Sequence, residues 1–373
     1  MTTIAIISHH AVSLLNFRGR LIRDLAASGM RVVCLAPDYD SRTRGELVAL
    51  GAEPVDYRLQ RTGMNPLRDL VDVAALVGIL RRQAPAIAFA FSTKPMVYGT
   101  LAAWLAGVPR RVAMVEGAGY VFTASDTRPG WRRRALRRAV EALYRLALGR
   151  AHRVIFLNPD DRDEFVGRGL VSGRKASLLG GIGVDLRDWR QAPPMTDPMC
   201  FLLVARLLRE KGIREYAAAA QRIKAQYPEA RFVLLGGLDS NPGGLQRAQI
   251  EAWVDAGVLE WPGHVPVCPW MEVASVFVLP SYREGVPLST QEAMAMGRPV
   301  ITTDVPGCRE TVRDGVNGYL VPARDVDALV AAMRRFLDHP DRVAGMGRAS
   351  RQMAEDRFDV QKINEKLVGW LLE

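Results

Sequence analysis

Short apolar runs alternate with helix-length segments along almost the whole chain, and few folds satisfy that alternation. Residues 4–8, 31–36, 86–91, 111–115 and 154–157 read as buried strands, separated by helical stretches such as 14–28. This order predicts an α/β fold with a parallel sheet and right-handed crossovers. The pattern restarts after Gln191-Ala-Pro-Pro-Met-Thr-Asp-Pro, whose composition suits a linker, with strands expected at 200–205, 231–236, 276–279 and 300–303. Two doubly wound domains with a cleft between them are therefore expected, at 1–190 and 191–357. The segment 358–373 reads as a terminal helix with Ile363, Leu367, Trp370 and Leu371 on one face.

Length and composition agree with two cores. The 373 residues suffice for about two domains, and 49% apolar with 24% charged residues excludes disordered and fibrous classes. Cys34, Cys200, Cys268 and Cys308 are scattered, with no Cys-x-x-Cys pair, so they read as reduced core thiols and not as a disulfide framework or zinc site. The first residues lack a basic segment ahead of an apolar run, and no stretch of 18 apolar residues occurs, which places the expected location on the cytosolic side.

Charge narrows the partners. Lys and Arg total 50 against 40 Asp and Glu, a net +10. Residues 1–190 hold 29 basic and 17 acidic side chains (+12), and 191–373 hold 21 and 23 (−2), so the whole excess sits in the first half. A polyanionic partner follows: phosphate, anionic lipid or nucleic acid. Much of the excess lies in 128–150, where Trp131, Ala135, Ala139, Leu143 and Leu146 recur at helical spacing among Arg132, Arg133, Arg134, Arg137 and Arg138. Such a helix either packs as a crossover with a solvated arginine face or lays its arginines on anionic phospholipid with Trp131 at the interface, and the two can coexist. No zinc finger, aromatic RNA-binding signature or recognition helix is present, so nucleic acid is not an expected partner.

The segment from Leu279-Pro-Ser-Tyr-Arg-Glu-Gly-Val-Pro-Leu-Ser-Thr-Gln-Glu to Val300 carries the most chemistry. A strand ends near Pro280, a loop holds Glu284 and Gly285, and a helix is expected from about Leu288 to Met296. Free amides around Val286, Leu288, Ser289 and Thr290 would hold a diphosphate. Glu284 and Glu292, eight residues apart, suit hydroxyl groups at two places along a ligand. Arg206 and Lys211 follow the first strand of the second domain and would supply positive charge to a leaving diphosphate. Gly236 and Gly237 form a turn that would admit close backbone approach.

This combination resembles the retaining nucleotide-sugar glycosyltransferases of family 4, with the glutamates in the E-x7-E arrangement. Ser8-His9-His10 with Phe17-Arg18, Val115-Glu116-Gly117, Gly181-Ile-Gly-Val-Asp and Pro280-Ser-Tyr-Arg-Glu-Gly are similar to a branch that extends undecaprenyl-diphosphate-linked saccharides with N-acetylgalactosamine or related sugars. The resemblance implies the GT-B fold: two Rossmann-like domains, with the terminal helix crossing back to the first. It implies a UDP-sugar donor whose diphosphate meets Arg206 and Lys211, whose sugar meets Glu284 and whose ribose meets Glu292. Transfer would retain anomeric configuration and use no metal or other cofactor, since Asp325 and Asp327 open a late helix and do not sit at a strand end.

Two departures from the family pattern stand out. Ser8 to Ser13 replace a common Gly-Gly turn, which makes His9 and His10 candidate acceptor contacts together with Arg18 and Lys94. Glu116, beside Gly117, stands where many members have histidine, and it is a candidate both for catalysis and for acceptor orientation. A polyprenyl diphosphate acceptor would be met peripherally at the inner face of a bacterial inner membrane. Two other readings share these residues: a GT-B epimerase acting on UDP-N-acetylglucosamine, and a non-enzymatic, membrane-associated sugar-nucleotide-binding subunit.

Overall fold

A computed structural model describes residues 1–59, 66–117, 131–239, 241 and 243–373. The chain divides into two compact units, Met1–Leu179 with Asn364–Glu373, and Gly180–Ile363.

The first unit is built on strands β1 (Thr3–Ile7), β2 (Arg31–Ala36), β3 (Ala52–Asp56), β4 (Ile87–Phe91), β5 (Arg110–Val115), β6 (Arg153–Phe156) and β7 (Ala176–Leu178). All pairings are parallel, in the order β3-β2-β1-β4-β5-β6-β7. Helices α1 (Ala11–Ala27), α2 (Ser41–Ala49), α3 (Pro66–Gln83), α4 (Thr93–Leu105), α5 (Trp131–Arg150) and α6 (Pro159–Gly167) make the crossovers. Local chemistry sets their starts: Asp40 and Thr43 form a capping box on α2, and Asn158 caps α6 ahead of Pro159. The strand order reverses between β1 and β4, so the loops at their carboxyl ends diverge and leave room for a ligand.

The second unit contains β8 (Cys200–Val204), β9 (Arg231–Leu235), β10 (Glu260–Gly263), β11 (Val276–Leu279), β12 (Val300–Thr303) and β13 (Gly318–Val321), in the order β10-β9-β8-β11-β12-β13 and again parallel throughout. It carries α7 (Ile213–Lys224), α8 (Arg247–Asp255), α9 (Cys268–Glu272), α10 (Leu288–Ala295), α11 (Val326–Leu337), α12 (Asp341–Arg357) and the start of α13 (Val360–Leu372). Phe201 stacks on Phe232 at 5.1 Å in its core, and the buried Tyr216 hydroxyl donates to the Phe201 carbonyl at 2.7 Å. The switch point here lies between β8 and β11.

Four details differ from the sequence reading. The second unit begins at Gly180, ahead of the proline-rich stretch, because Gly183 N–H donates to Gln291 Oε1 at 3.0 Å and Val184 N–H to the Phe358 carbonyl at 2.8 Å. The last helix belongs to the first unit only from Asn364 onward. Ile363, Leu367 and Leu371 are buried as expected, but Trp370 is only half-buried, its ring flanked by the cations of Arg153 and Lys366. Of the cysteines, all free, Cys34, Cys200 and Cys308 are core thiols, while Cys268 is half-buried at the start of α9.

Candidate active site

At the β8/β11 switch point, the loop after β8 carries Arg206 and Lys211, and the loop after β11 carries Glu284. Lys211 Nζ lies 2.5 Å from Glu284 Oε1, and both side chains are largely buried. Arg206 is exposed and pairs with Asp239 at 3.0 Å. Lys211 is thus the cation held deep at the sheet edge and Arg206 the outer one. The Glu284 backbone is fixed in turn, since its N–H donates to the Pro306 carbonyl at 3.1 Å.

Helix α10 starts at Leu288 after Pro287, which offers no side-chain cap, and its first turn has no acidic residue. The amides of Leu288, Ser289 and Thr290 therefore meet neither an intrahelical acceptor nor a capping oxygen, and the positive end of the helix dipole is left for an anion. Glu292, one turn further on, is half-buried, and burial alone pushes its carboxyl up to about 8. A folded state that holds a proton the unfolded chain has released loses stability as pH rises. Thermal stability should therefore fall between about pH 4.5 and 8, and Glu292→Gln should flatten that slope; an unchanged pH profile of melting in the variant would refute the assignment.

Several contributors escaped the sequence reading. Gln291 is fully buried and ties this loop to another: its Oε1 accepts from Gly183 N–H, while its Nε2 donates to the Val286 carbonyl at 3.1 Å. The Tyr282 hydroxyl donates to Glu215 at 2.6 Å, and Arg324 stacks over the Tyr282 ring. Gly307 (φ 78°) passes so close to the loop after β11 that a Cβ there would stand 2.2 Å from the Glu284 carbonyl oxygen. Gly236 also has a packing requirement beside the ligand approach expected of it. Its Cβ would stand 1.9 Å from the Ala205 carbonyl oxygen, so it is required where β8 and β9 leave the sheet; Gly237 meets only ordinary contacts. Asp325 caps α11 through the Ala328 amide, and Asp327 pairs with Arg222, as residues of a surface helix do.

In the first unit, Glu116 follows β5 and Ser92 follows β4. Glu116 accepts from Arg18 Nη2 at 2.6 Å and from Ser92 Oγ at 3.1 Å. Arg18, expected to contact the acceptor, is buried on the inner side of α1. Lys94 lies 3.2 Å from the buried Asp69, which also accepts from the Tyr98 hydroxyl at 2.8 Å, so its charge is balanced by a tie between α3 and α4. His10 caps α1: its Nδ1 accepts the Val12 amide at 3.2 Å while Nε2 stands 3.1 Å from Asp38. His9 is half-buried beside it, and Gly117 follows Glu116 at the sheet edge.

Helix α5 has the expected amphipathic pattern but with its faces shifted. Tyr144, Ala147 and Leu148 pack inward, with Leu143 half-buried. Ala135, Ala139, Ala142 and Leu146, spaced four, three and four residues apart, form an outward stripe of small apolar side chains ending on leucine, with Arg138 and Arg145 along one flank and Arg150 along the other. The side chains of Trp131, Arg132, Arg133 and Arg134 lie outside the described residues; Arg137 is half-buried and pairs with Glu141. No described helix is long and apolar enough to cross a membrane.

Two nucleotide-fold units, one bearing a lysine–glutamate pair beside an uncapped helix, define the GT-B class, and comparison with known proteins identifies the family. Residues 17–178 match the family described as Glycosyl transferase 4-like domain, and residues 199–339 match Glycosyl transferases group 1. The chain belongs to these glycosyltransferases. It is 28% identical over 352 residues, 90% of its length and 89% of the relative's, to the N,N'-diacetylbacillosaminyl-diphospho-undecaprenol α-1,3-N-acetylgalactosaminyltransferase of Campylobacter jejuni. It is 26% identical, over 81% of its length and 79% of the other's, to an Escherichia coli UDP-Gal:α-D-GlcNAc-diphosphoundecaprenol α-1,3-galactosyltransferase. The solved structure of Anabaena HepE with UDP and glucose superposes over the full length of both chains with a TM-score of 0.78 at 16% identity, a likeness of fold.

Proposed function

We propose that this glycosyltransferase moves a sugar, N-acetylgalactosamine or a related hexose or N-acetylhexosamine, from a UDP-sugar to an undecaprenyl-diphosphate-linked saccharide, with retention of configuration and without a metal. The observation that carries the reading is the Lys211–Glu284 pair beside the uncapped start of α10. Departure of UDP leaves negative charge on the β-phosphate. Lys211, Arg206 and the α10 amides are fixed donors of the sign that charge needs, the role a divalent cation fills elsewhere. Glu284 accepts hydrogen bonds from donor-sugar hydroxyls, and Glu292 from the ribose. In the first unit, Glu116 accepts a hydrogen bond from a sugar hydroxyl. The acceptor oxygen bonds to the anomeric carbon on the face that UDP leaves, the C1–O bond to phosphate breaks, and the acceptor proton passes to the departing phosphate oxygen.

The acceptor class rests on the relatives in C. jejuni and E. coli, both named for diphosphoundecaprenol-linked substrates, and on α5. An outward stripe of Ala135, Ala139, Ala142 and Leu146 bordered by arginines suits the anionic inner face of a bacterial inner membrane. The three alanines let the helix lie close to the headgroups, Leu146 enters the interface, and each basic residue contributes about 1 kcal/mol. Replacing Ala142 and Leu146 with glutamate should weaken binding to phosphatidylglycerol-containing vesicles by roughly tenfold or more while sparing UDP affinity; sedimentation that matches the wild type would remove the docking role.

The deciding experiment measures UDP release from a panel of UDP-sugars in EDTA, with and without a short-chain polyprenyl-diphospho-diacetylbacillosamine. Acceptor-dependent release with one donor supports the full reading. Turnover of a UDP-sugar without acceptor would indicate epimerase chemistry, and no release with any pairing would overturn the donor and acceptor assignments.

A further inference from the structure

We infer that Arg18 and Ser92 are positioning residues that clamp the Glu116 carboxylate in one orientation as an acceptor for a sugar hydroxyl. The inference rests on the reading of Glu116 as a sugar contact. A guanidinium in the interior of α1 is costly to desolvate, and burial pulls the pKa of Arg18 down while the nearby Glu116 opposes the shift. Apolar residues would fill the same space at lower cost, so the stability of the core does not explain the arginine. Its contacts supply a reason. Nη2 donates to Glu116 Oε1 at 2.6 Å and lies 2.8 Å from Met114 Sδ, Nη1 donates to the Phe17 carbonyl at 2.9 Å, and the guanidinium rests 4.7 Å from the centre of the Phe91 ring. A group so enclosed delivers its charge to Glu116 and has no path to an acceptor diphosphate.

Ser92 completes the clamp from the other side. It is a non-glycine residue in the left-handed half of the Ramachandran map (φ 68°, ψ 151°), at the junction of β4 and α4. Strain of this kind persists only where the surroundings enforce it. The conformation carries Ser92 Oγ to 3.1 Å from Glu116 Oε2. Each carboxylate oxygen thus receives one protein donor and keeps acceptor capacity for another. Glu116 retains 23% of its side-chain exposure, so an outside hydroxyl can approach. The clamp removes in advance the rotamer freedom a flexible glutamate would lose in the transition state. A carboxylate held this way also selects a hydroxyl donor over a phosphate.

A double-mutant cycle tests the clamp, using UDP-N-acetylgalactosamine and the short-chain diacetylbacillosamine acceptor, with kcat, acceptor KM and thermal unfolding recorded for each variant. Glu116→Gln and Arg18→Met should each lower kcat by about tenfold or more with little change in KM, and Arg18→Met should cost nothing further in the Glu116→Gln background. An equal loss from Arg18→Met in both backgrounds would overturn the positioning role while leaving Glu116 in place. Normal turnover by Glu116→Gln would overturn the reading beneath it. If Arg18→Met fails to fold because it strands a carboxylate, Ser92→Ala runs the same cycle from the exposed side of the clamp, with the same two outcomes.

Discussion

Replacing Lys211 with alanine should lower turnover by at least about a hundredfold, the scale observed when one transition-state stabiliser is removed. The loss should appear chiefly in kcat. In the proposed reaction the diphosphate is anionic before and after the bond breaks, but its charge grows at the oxygen that departs, and Lys211 is the cation largely buried beside Glu284. Glu284→Ala should cost a similar factor for a different reason. In the proposed role it would deprive the donor sugar of an acceptor, and it frees the Lys211 ammonium from its 2.5 Å contact. Single-turnover rates combined with UDP affinity by calorimetry separate the two effects. Near-normal rates in either variant would refute its role.

Gly307→Ala is expected to act on the same site without altering any charged group. The new methyl would lie 2.2 Å from the Glu284 carbonyl oxygen and 2.4 Å from that of Gly285, and the φ of 78° disfavours any side chain. Backbone at that separation cannot relax by rotating a side chain, so the loop carrying Glu284 must shift. Displacements of about 1 Å in a catalytic group cost on the order of a hundredfold. Activity should drop by that order while circular dichroism remains that of a folded protein. Wild-type kcat in a folded Gly307→Ala variant would show that the loop tolerates displacement.

The interior of each sheet was legible in the sequence, and its edges were not. Strands β1, β2, β4, β5 and β6, and β8, β9, β11 and β12, are runs of apolar side chains covered on both faces. The four strands that went unread, β3, β7, β10 and β13, are the four sheet edges. An edge strand tolerates Pro54 within Ala52–Asp56 and Pro262 within Glu260–Gly263, can be as short as Ala176–Leu178, and carries no continuous apolar signal. The site divides in a similar way. The positions of Lys211 and Glu284 in the loops after β8 and β11, and of Glu292 within α10, were readable because the strand-loop-helix order places them. Arg18 was misread because an arginine among helical residues implies solvent, and only the fold reveals that this one faces Phe91. Gln291 and Gly307 act on backbone groups remote in sequence or across a loop, which spacing alone does not disclose. In α5 the helical period was readable, but the choice between two candidate apolar faces depended on α4, against which the helix packs.

Helix α10 is eight residues long and begins at Leu288, just after a proline that offers no capping side chain. Its first turn carries amide dipoles that no side chain of the helix compensates, so a nucleotide diphosphate would do for this unit what a capping serine does for an ordinary helix. Occupancy then becomes part of the unit's own thermodynamics: a ligand present at about a hundred times its dissociation constant adds about 2.7 kcal/mol to the native state. In a cell, a chain of this design would survive proteolysis longer when sugar nucleotide is plentiful and turn over faster when it is scarce, so the abundance of the enzyme would follow the supply of its substrate without any dedicated regulator.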